Sequence, residues 1–196
     1  MIRVTGGEAK GLSLKVINNR SVRPTSDRVR QALFNTLAHR FQFDWVGAHI
    51  LDLYAGSGIL GIEALSRGAI SLLSVEMDRK TAQQLKINLS AVTKHLSIHP
   101  KPQSTLSKFK VHVQPVERVL QSPPRSAFDL VFIDPPYAEE AGPQVLKSMG
   151  SQWIKDHGLA IIEHAKRDLF DPPLGWTLAF RRSYGDTMIS ICERTQ

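Results

Sequence analysis

The chain has 196 residues, 42% of them hydrophobic, and a formal net charge of +7. That length bounds it to one domain, or one domain with an arm, and leaves enough apolar residues for a sizeable core. A lone cysteine, Cys192, excludes an internal disulfide and points to a reducing compartment; the seven histidines are scattered without zinc spacing. No apolar run approaches the roughly 18 residues of a membrane span, and the N-terminus lacks the apolar stretch of a signal peptide. The expectation is a cytoplasmic protein with no metal and no membrane contact.

The charge is uneven. Residues 1–40 hold eight Lys or Arg against Glu8 and Asp27, nearly all of the excess. A basic arm (1–45) on a near-neutral body (46–196) is the footprint of a polyanion binder, and arginine in preference to lysine favours nucleic acid over a merely solvated face.

In chain order, residues 1–17 alternate loosely around Gly6-Gly7 and Lys10-Gly11, which suits a small β-hairpin. Arg23-Pro24-Thr25-Ser26-Asp27 leads into Val29, Ala32, Leu33, Thr36 and Leu37 on one helical face, with Thr25, Ser26 or Asp27 as cap. Arg28 and Arg30 fall in the first turn of that helix, where the macrodipole disfavours cations, so an anionic partner is expected.

Residues 49–61 then read as an apolar strand ending at Asp52-Leu53, a glycine turn, and a helix from about Ile59. Gly56-x-Gly58-x-x-Gly61 matches a dinucleotide pattern in letters. Asp52, however, lies just ahead of the glycines, where its carboxylate would repel a pyrophosphate. It can instead hold an ammonium, such as the amino group of S-adenosylmethionine. Ser71 to Glu76 is a second strand, ending in an acid twenty residues past Gly56 that can accept both ribose hydroxyls. Met77 can lie on an adenine face. Tyr54 completes the set of cofactor-binding candidates.

Thr81 to Val92 is helical, with Leu85, Leu89 and Val92 as core stripe, and residues 94–109 read as a polar loop. Lys110 to Val113 is a third strand and Pro115 to Leu120 a short helix. Leu130 to Ile133 is a strand buried on both faces, stopped by Pro135 and Pro136. Asp134 therefore sits at the carboxyl end of a buried strand, where open α/β sheets place ligands, and the following proline holds it extended. The Asp134 and Pro135 carbonyls and the Tyr137 ring offer acceptors and a stacking plane suited to a flat ring bearing an NH2 group, such as a flipped nucleobase. A second copy, Asp171-Pro172-Pro173-Leu174, follows no buried strand and reads as a loop. Val145, Leu146 and Met149 mark another helix, Leu159 to Glu163 a buried strand, and Trp176–Arg182 with Thr187–Glu193 a terminal hairpin. The alternation predicts a doubly wound α/β sheet with an antiparallel edge.

RPTSDRVRQALFN, LDLYAGSGILGIEALSRGA, SVEMDRK, FDLVFIDPPY and YGDT, in this order, resemble the bacterial 16S rRNA guanine-N2 methyltransferases of the small-subunit methyltransferase D family, from Arg3 to Glu193. The resemblance implies a Rossmann-like, seven-stranded, S-adenosylmethionine-dependent methyltransferase with an N-terminal hairpin arm. It also implies a guanine in 16S rRNA of the assembled or assembling small subunit as target, and a monomer is the default. In that setting Asp134, Pro135, Pro136 and Tyr137 would form the catalytic motif; Arg23, Thr25, Arg28 and Arg30 would contact RNA. Where relatives carry an aspartate that contacts adenine, this chain has Pro115, so backbone groups of Val116 would serve. Other readings are a DNA adenine or cytosine amino methyltransferase, a nicotinamide dehydrogenase, and a non-catalytic RNA-binding assembly factor.

Overall fold

The computed structural model describes residues 1–17, 27–98, 108–136 and 141–195. After a two-stranded hairpin, β1 (Ile2–Arg3) and β2 (Ser13–Leu14), comes helix α1 (Asp27–His39). Strand β3 (His49–Leu53), helix α2 (Ile59–Arg67), strand β4 (Ser71–Val75), helix α3 (Arg79–Ile98) and strand β5 (Lys108–His112) follow. Then come α4 (Val116–Leu120), β6 (Phe128–Ile133), α5 (Ala141–Ser148), β7 (Ile154–Ala165), β8 (Trp176–Tyr184) and β9 (Thr187–Arg194).

The seven-stranded sheet runs β5-β4-β3-β6-β7-β9-β8. Its first five strands are parallel, and β9 inserts antiparallel between β7 and β8. The predicted antiparallel edge is this β8–β9 hairpin. Central strands covered on both faces must be apolar throughout. Leu130 to Ile133 accordingly has 1% exposure or less. Alternate residues feed two cores: Ile50, Phe132 and Ile161 on one face, Leu51, Leu53, Ile133 and Ile162 on the other. Two elements run longer than their patterns suggest. Helix α3 continues to Ile98, five residues into the predicted 94–109 loop, because polar residues on an exposed helical face resemble loop composition. Strand β7 begins at Ile154, where a bulge against β6 between Phe128 and Leu130 interrupts the alternation.

The N-terminal 1–45 segment is no detached arm in its described residues. Ile2, Val4, Ala9, Leu14, Leu33, Phe34 and Leu37 belong to the same apolar cluster as Ile50 and Phe132. Polar contacts fix the hairpin to α2. The Ser66 carbonyl accepts from Glu8 N–H at 2.7 Å, and Ser66 Oγ accepts from Ala9 N–H at 2.9 Å. Gly7 (φ 76°) lies so close to the Ser66 carbonyl that no Cβ fits.

At the centre is Glu63, fully buried on α2. Its Oε1 accepts from Thr5 N–H at 2.6 Å and from Arg30 Nε at 3.0 Å, and Arg67 Nη1 pairs with Oε2. Arg30 also donates to the Arg3 carbonyl at 2.6 Å and to Asp27 at 2.9 Å. The anionic partner expected for Arg30 is therefore Glu63 and Asp27, within the protein. A side chain with no exposed surface cannot contact RNA, so Arg30 leaves the set of RNA-binding residues. Removing one member of a buried ion pair strands the other charge. Glu63→Ala should lower unfolding free energy by about 3–5 kcal/mol. Urea denaturation measures this, and a loss below about 1 kcal/mol, typical of exposed pairs, would contradict it.

Candidate active site

The site forms where β3, β4, β6 and β7 end. Strand β3 pairs Asp52 with Phe132 of β6, and β6 pairs Ile133 with Ile162 of β7. Paired residues of parallel strands share a face and faces alternate. Asp52, Asp134 and Glu163 therefore lie on one face, the side of Ile50 and Phe132, at the carboxyl ends of three adjacent strands. Asp52 is 2% exposed and Glu163 8% exposed, while Asp134 is half-buried. Among the described residues no ion pair reaches Asp52 or Asp134.

Burial costs a charge its hydration, and neighbouring like charge adds to the cost. Desolvation, offset in part by the Gly61 N–H and raised again by Glu76, pushes Asp52 up to about 8. The Gly61 bond, at 3.1 Å to Oδ2, ties Asp52 to the first turn of α2. Asp134 is pushed well above the usual carboxylate range by desolvation first, then by Glu163 and Asp52. A cluster of acids is a poor place for a phosphate and a good one for a cation.

The glycine loop frames the cofactor side. Tyr54, half-buried, Gly56 and Gly58 take left-handed φ of 59°, 53° and 79°. Only one glycine of Gly56-x-Gly58-x-x-Gly61 faces open space. A Cβ on Gly56 would meet nothing nearer than the Tyr54 carbonyl at 3.9 Å. One on Gly58 would collide with Leu85, and one on Gly61 would lie 2.7 Å from Leu72. Gly58 and Gly61 thus serve the packing of α2, and the dinucleotide resemblance in letters reflects that packing.

Glu76 bridges the loop: Oε2 accepts from Gly56 N–H at 3.0 Å and Oε1 from Asp78 N–H at 2.8 Å. Each oxygen keeps acceptor capacity for a hydroxyl. Met77 beside it is 69% exposed. The Val116 side chain is buried at the start of α4, so any role toward a ligand falls to its backbone.

Pro135 is buried and Pro136 exposed, and both line a cleft completed by Gly142, Glu163, Asp168 and Phe170. Tyr137, Arg23 and Thr25 lie outside the described residues; Arg28 is exposed on α1. Two contributors escaped the sequence reading. Glu163 follows the last residue of β7 that pairs with β6, two residues before the strand ends at Ala165, a signal present in Leu159–Glu163 but read only as core. Asn88 Nδ2 donates to the Lys15 carbonyl at 2.9 Å and the Ser57 carbonyl at 3.0 Å, tying the hairpin exit to the glycine loop. An Asn within a helix carries no pattern that announces this.

The doubly wound sheet, with acids in place of a phosphate cradle, defines the class as a methyltransferase of Rossmann-like fold. A solved structure from Escherichia coli described as a "putative methyltransferase" superposes with TM-score 0.78 at 30% identity, covering 99% of this chain and 98% of that one. A methylase structure from Haemophilus influenzae, likewise described as "putative", gives TM-score 0.76 at 27% identity, covering 100% and 99%. A family model described as "Conserved hypothetical protein 95" matches residues 2–193. The ribosomal RNA small subunit methyltransferase D of Escherichia coli is 34% identical over 197 residues, 98% of this chain and 90% of that protein. Its Haemophilus influenzae counterpart is 34% identical over 185 residues, 94% and 89%. The chain belongs to this family, the small-subunit rRNA methyltransferases D.

Asp52 yields a pH prediction for the ligand-free protein. Its folded pKa of about 8 lies above the ordinary 3.8. Its favourable contribution is therefore complete below 3.8 and lost as pH rises through about 8. Asp52→Asn keeps an acceptor for Gly61 and carries no charge. Between pH 5 and 8 the variant's melting temperature should fall less than the wild type's; equal falls would contradict the shift.

Proposed function

We propose that this protein transfers a methyl group from S-adenosyl-L-methionine to the exocyclic N2 amine of a guanine in 16S rRNA of the small ribosomal subunit, acting in the cytoplasm as a monomer. The observation that carries the reading is the placement of Asp134 and Asp52 on one face of adjacent strands, since Asp52 pairs with Phe132. One acid can accept an amine N–H while the other faces a cation. Family membership supports the rRNA target.

The cofactor fits the residues present. Asp52 suits its positive charge, Glu76 its ribose hydroxyls, Met77 and the Val116 backbone its adenine, with Tyr54, Gly56 and Gly58 shaping the loop. When bound, S-adenosyl-L-methionine supplies an electrophilic methyl group. The guanine amine is a weak nucleophile because its lone pair is delocalised into the ring. Acceptance of its N–H groups by Asp134 and the Pro135 carbonyl localises that pair. Asp134 keeps an acceptor oxygen in either protonation state. Burial also makes its ionised form a stronger base, suited to take the proton shed after transfer. Pro136 fixes the turn and Tyr137 supplies a stacking face. Positioning of this kind can lower a barrier by about 7–11 kcal/mol.

The test is transfer of labelled methyl to small subunits lacking the modification, to naked rRNA and to duplex DNA. Label on a guanine amine in rRNA or subunits is expected; label on DNA alone would favour a DNA amino methyltransferase. Asp134→Ala should lower turnover by about 10²–10⁴-fold while cofactor affinity stays within a factor of a few. Wild-type turnover in that variant would overturn the mechanism. RNA contacts are assigned to Arg23, Thr25 and Arg28. Replacing Arg23 and Arg28 should weaken rRNA binding and reduce its salt slope by about 1 per phosphate contact, without changing cofactor affinity.

A further inference from the structure

The cleft beyond Asp134 is built from two chain segments that the cofactor reading does not use. One is the end of β7. Because Ile133 pairs with Ile162, the next residues on each strand, Asp134 and Glu163, stand side by side on one face. The other is the irregular stretch after β7, where Asp168 and Phe170 line the cleft together with Pro135 and Pro136. Phe170 is held from two sides: its ring meets His164 edge-on at 5.1 Å between centroids, and Arg181 lies over it at 5.3 Å. Arg181 also donates to the Phe170 carbonyl. The cleft thus has a fixed aromatic wall and a carboxylate beside the one that takes the amine.

Guanine differs from the other bases in its Watson–Crick edge. Its N1–H and N2–H2 are adjacent donors, whereas adenine and cytosine place a ring-nitrogen lone pair beside their amine. A carboxylate is an acceptor only, so it pairs with a donor and repels a lone pair. Resting on the guanine-N2 reading above, we propose that Glu163 accepts the N1–H of the target guanine beside Asp134 on its N2 amine, and so selects guanine over bases with an unprotonated ring nitrogen there. Asp134 handles the reacting nitrogen and Glu163 reads its neighbour. Glu163 is held almost wholly out of water, and an unmatched group facing it is penalised accordingly.

The test uses the nucleotide that carries label after the wild-type reaction. That guanine is replaced in the rRNA by 2-aminopurine, which keeps the amine but has a lone pair at N1. Wild type should prefer guanine in kcat/KM by roughly 5–150-fold, the range for one good base contact. Glu163→Gln can donate to that lone pair, so its guanine rate should fall and its preference collapse toward parity. Glu163→Asp keeps the acceptor and should retain the preference at reduced rate. Unchanged cofactor affinity in both variants reports an intact fold. A Glu163→Gln variant that slows both acceptors equally, or neither, would overturn the proposal. So would a wild type that ignores the replacement. Absence of label on a guanine amine in the wild-type reaction would instead sink the underlying reading.

Discussion

The site depends on the in-register parallel pairing of β3, β6 and β7. A parallel sheet places paired residues on the same face, and it ends them at the same edge. Three strands that each carry an acid within two residues of their carboxyl ends therefore concentrate Asp52, Asp134 and Glu163 in one partly dehydrated spot. No separate device is needed to perturb the acidity of Asp52 and Asp134, because burial first and neighbouring carboxylates second do so. A register slip of one residue on any strand would send its acid to the opposite face and dissolve the cluster. The apolar runs on either side, buried in both cores, prevent that slip.

A second constraint joins the basic N-terminus to this edge. Glu63 gathers Arg30, Arg67 and Thr5, while Ser66 holds the hairpin turn, all on α2, the helix that follows the glycine loop. Asn88 binds the hairpin exit to Ser57 in that loop. The flanks on both sides of residues 18–26 are thus anchored to the element that frames the cofactor side.

Much of the fold was legible because periodicity and punctuation agree: apolar runs bounded by glycine turns or prolines mark the central strands β3 and β6. Asp52, Glu76 and Asp134 were legible for the same reason, as acids at strand ends. Arg30 was misread because charge count treats every arginine as surface, and only packing reveals a buried partner on another helix. Glu163 was missed because its meaning lies in the neighbour it acquires, Asp134, 29 positions away along the chain but one strand away in space. Gly58 and Gly61 matched a ligand-binding pattern yet face Leu85 and Leu72, a distinction letters do not carry.

The central claim, that Asp52 in the strand-end cluster awaits a cation, is tested most directly by counting protons when S-adenosyl-L-methionine binds. Calorimetric titration at pH 6.5, in buffers of different ionisation enthalpy, gives the net proton exchange. With Asp52 at about 8 in the free protein, a cation settling beside it should expel on the order of one proton per site. Affinity should rise with pH up to about that value, and Asp52→Asn should abolish most of the release. Binding with no proton release in the wild type would contradict the account.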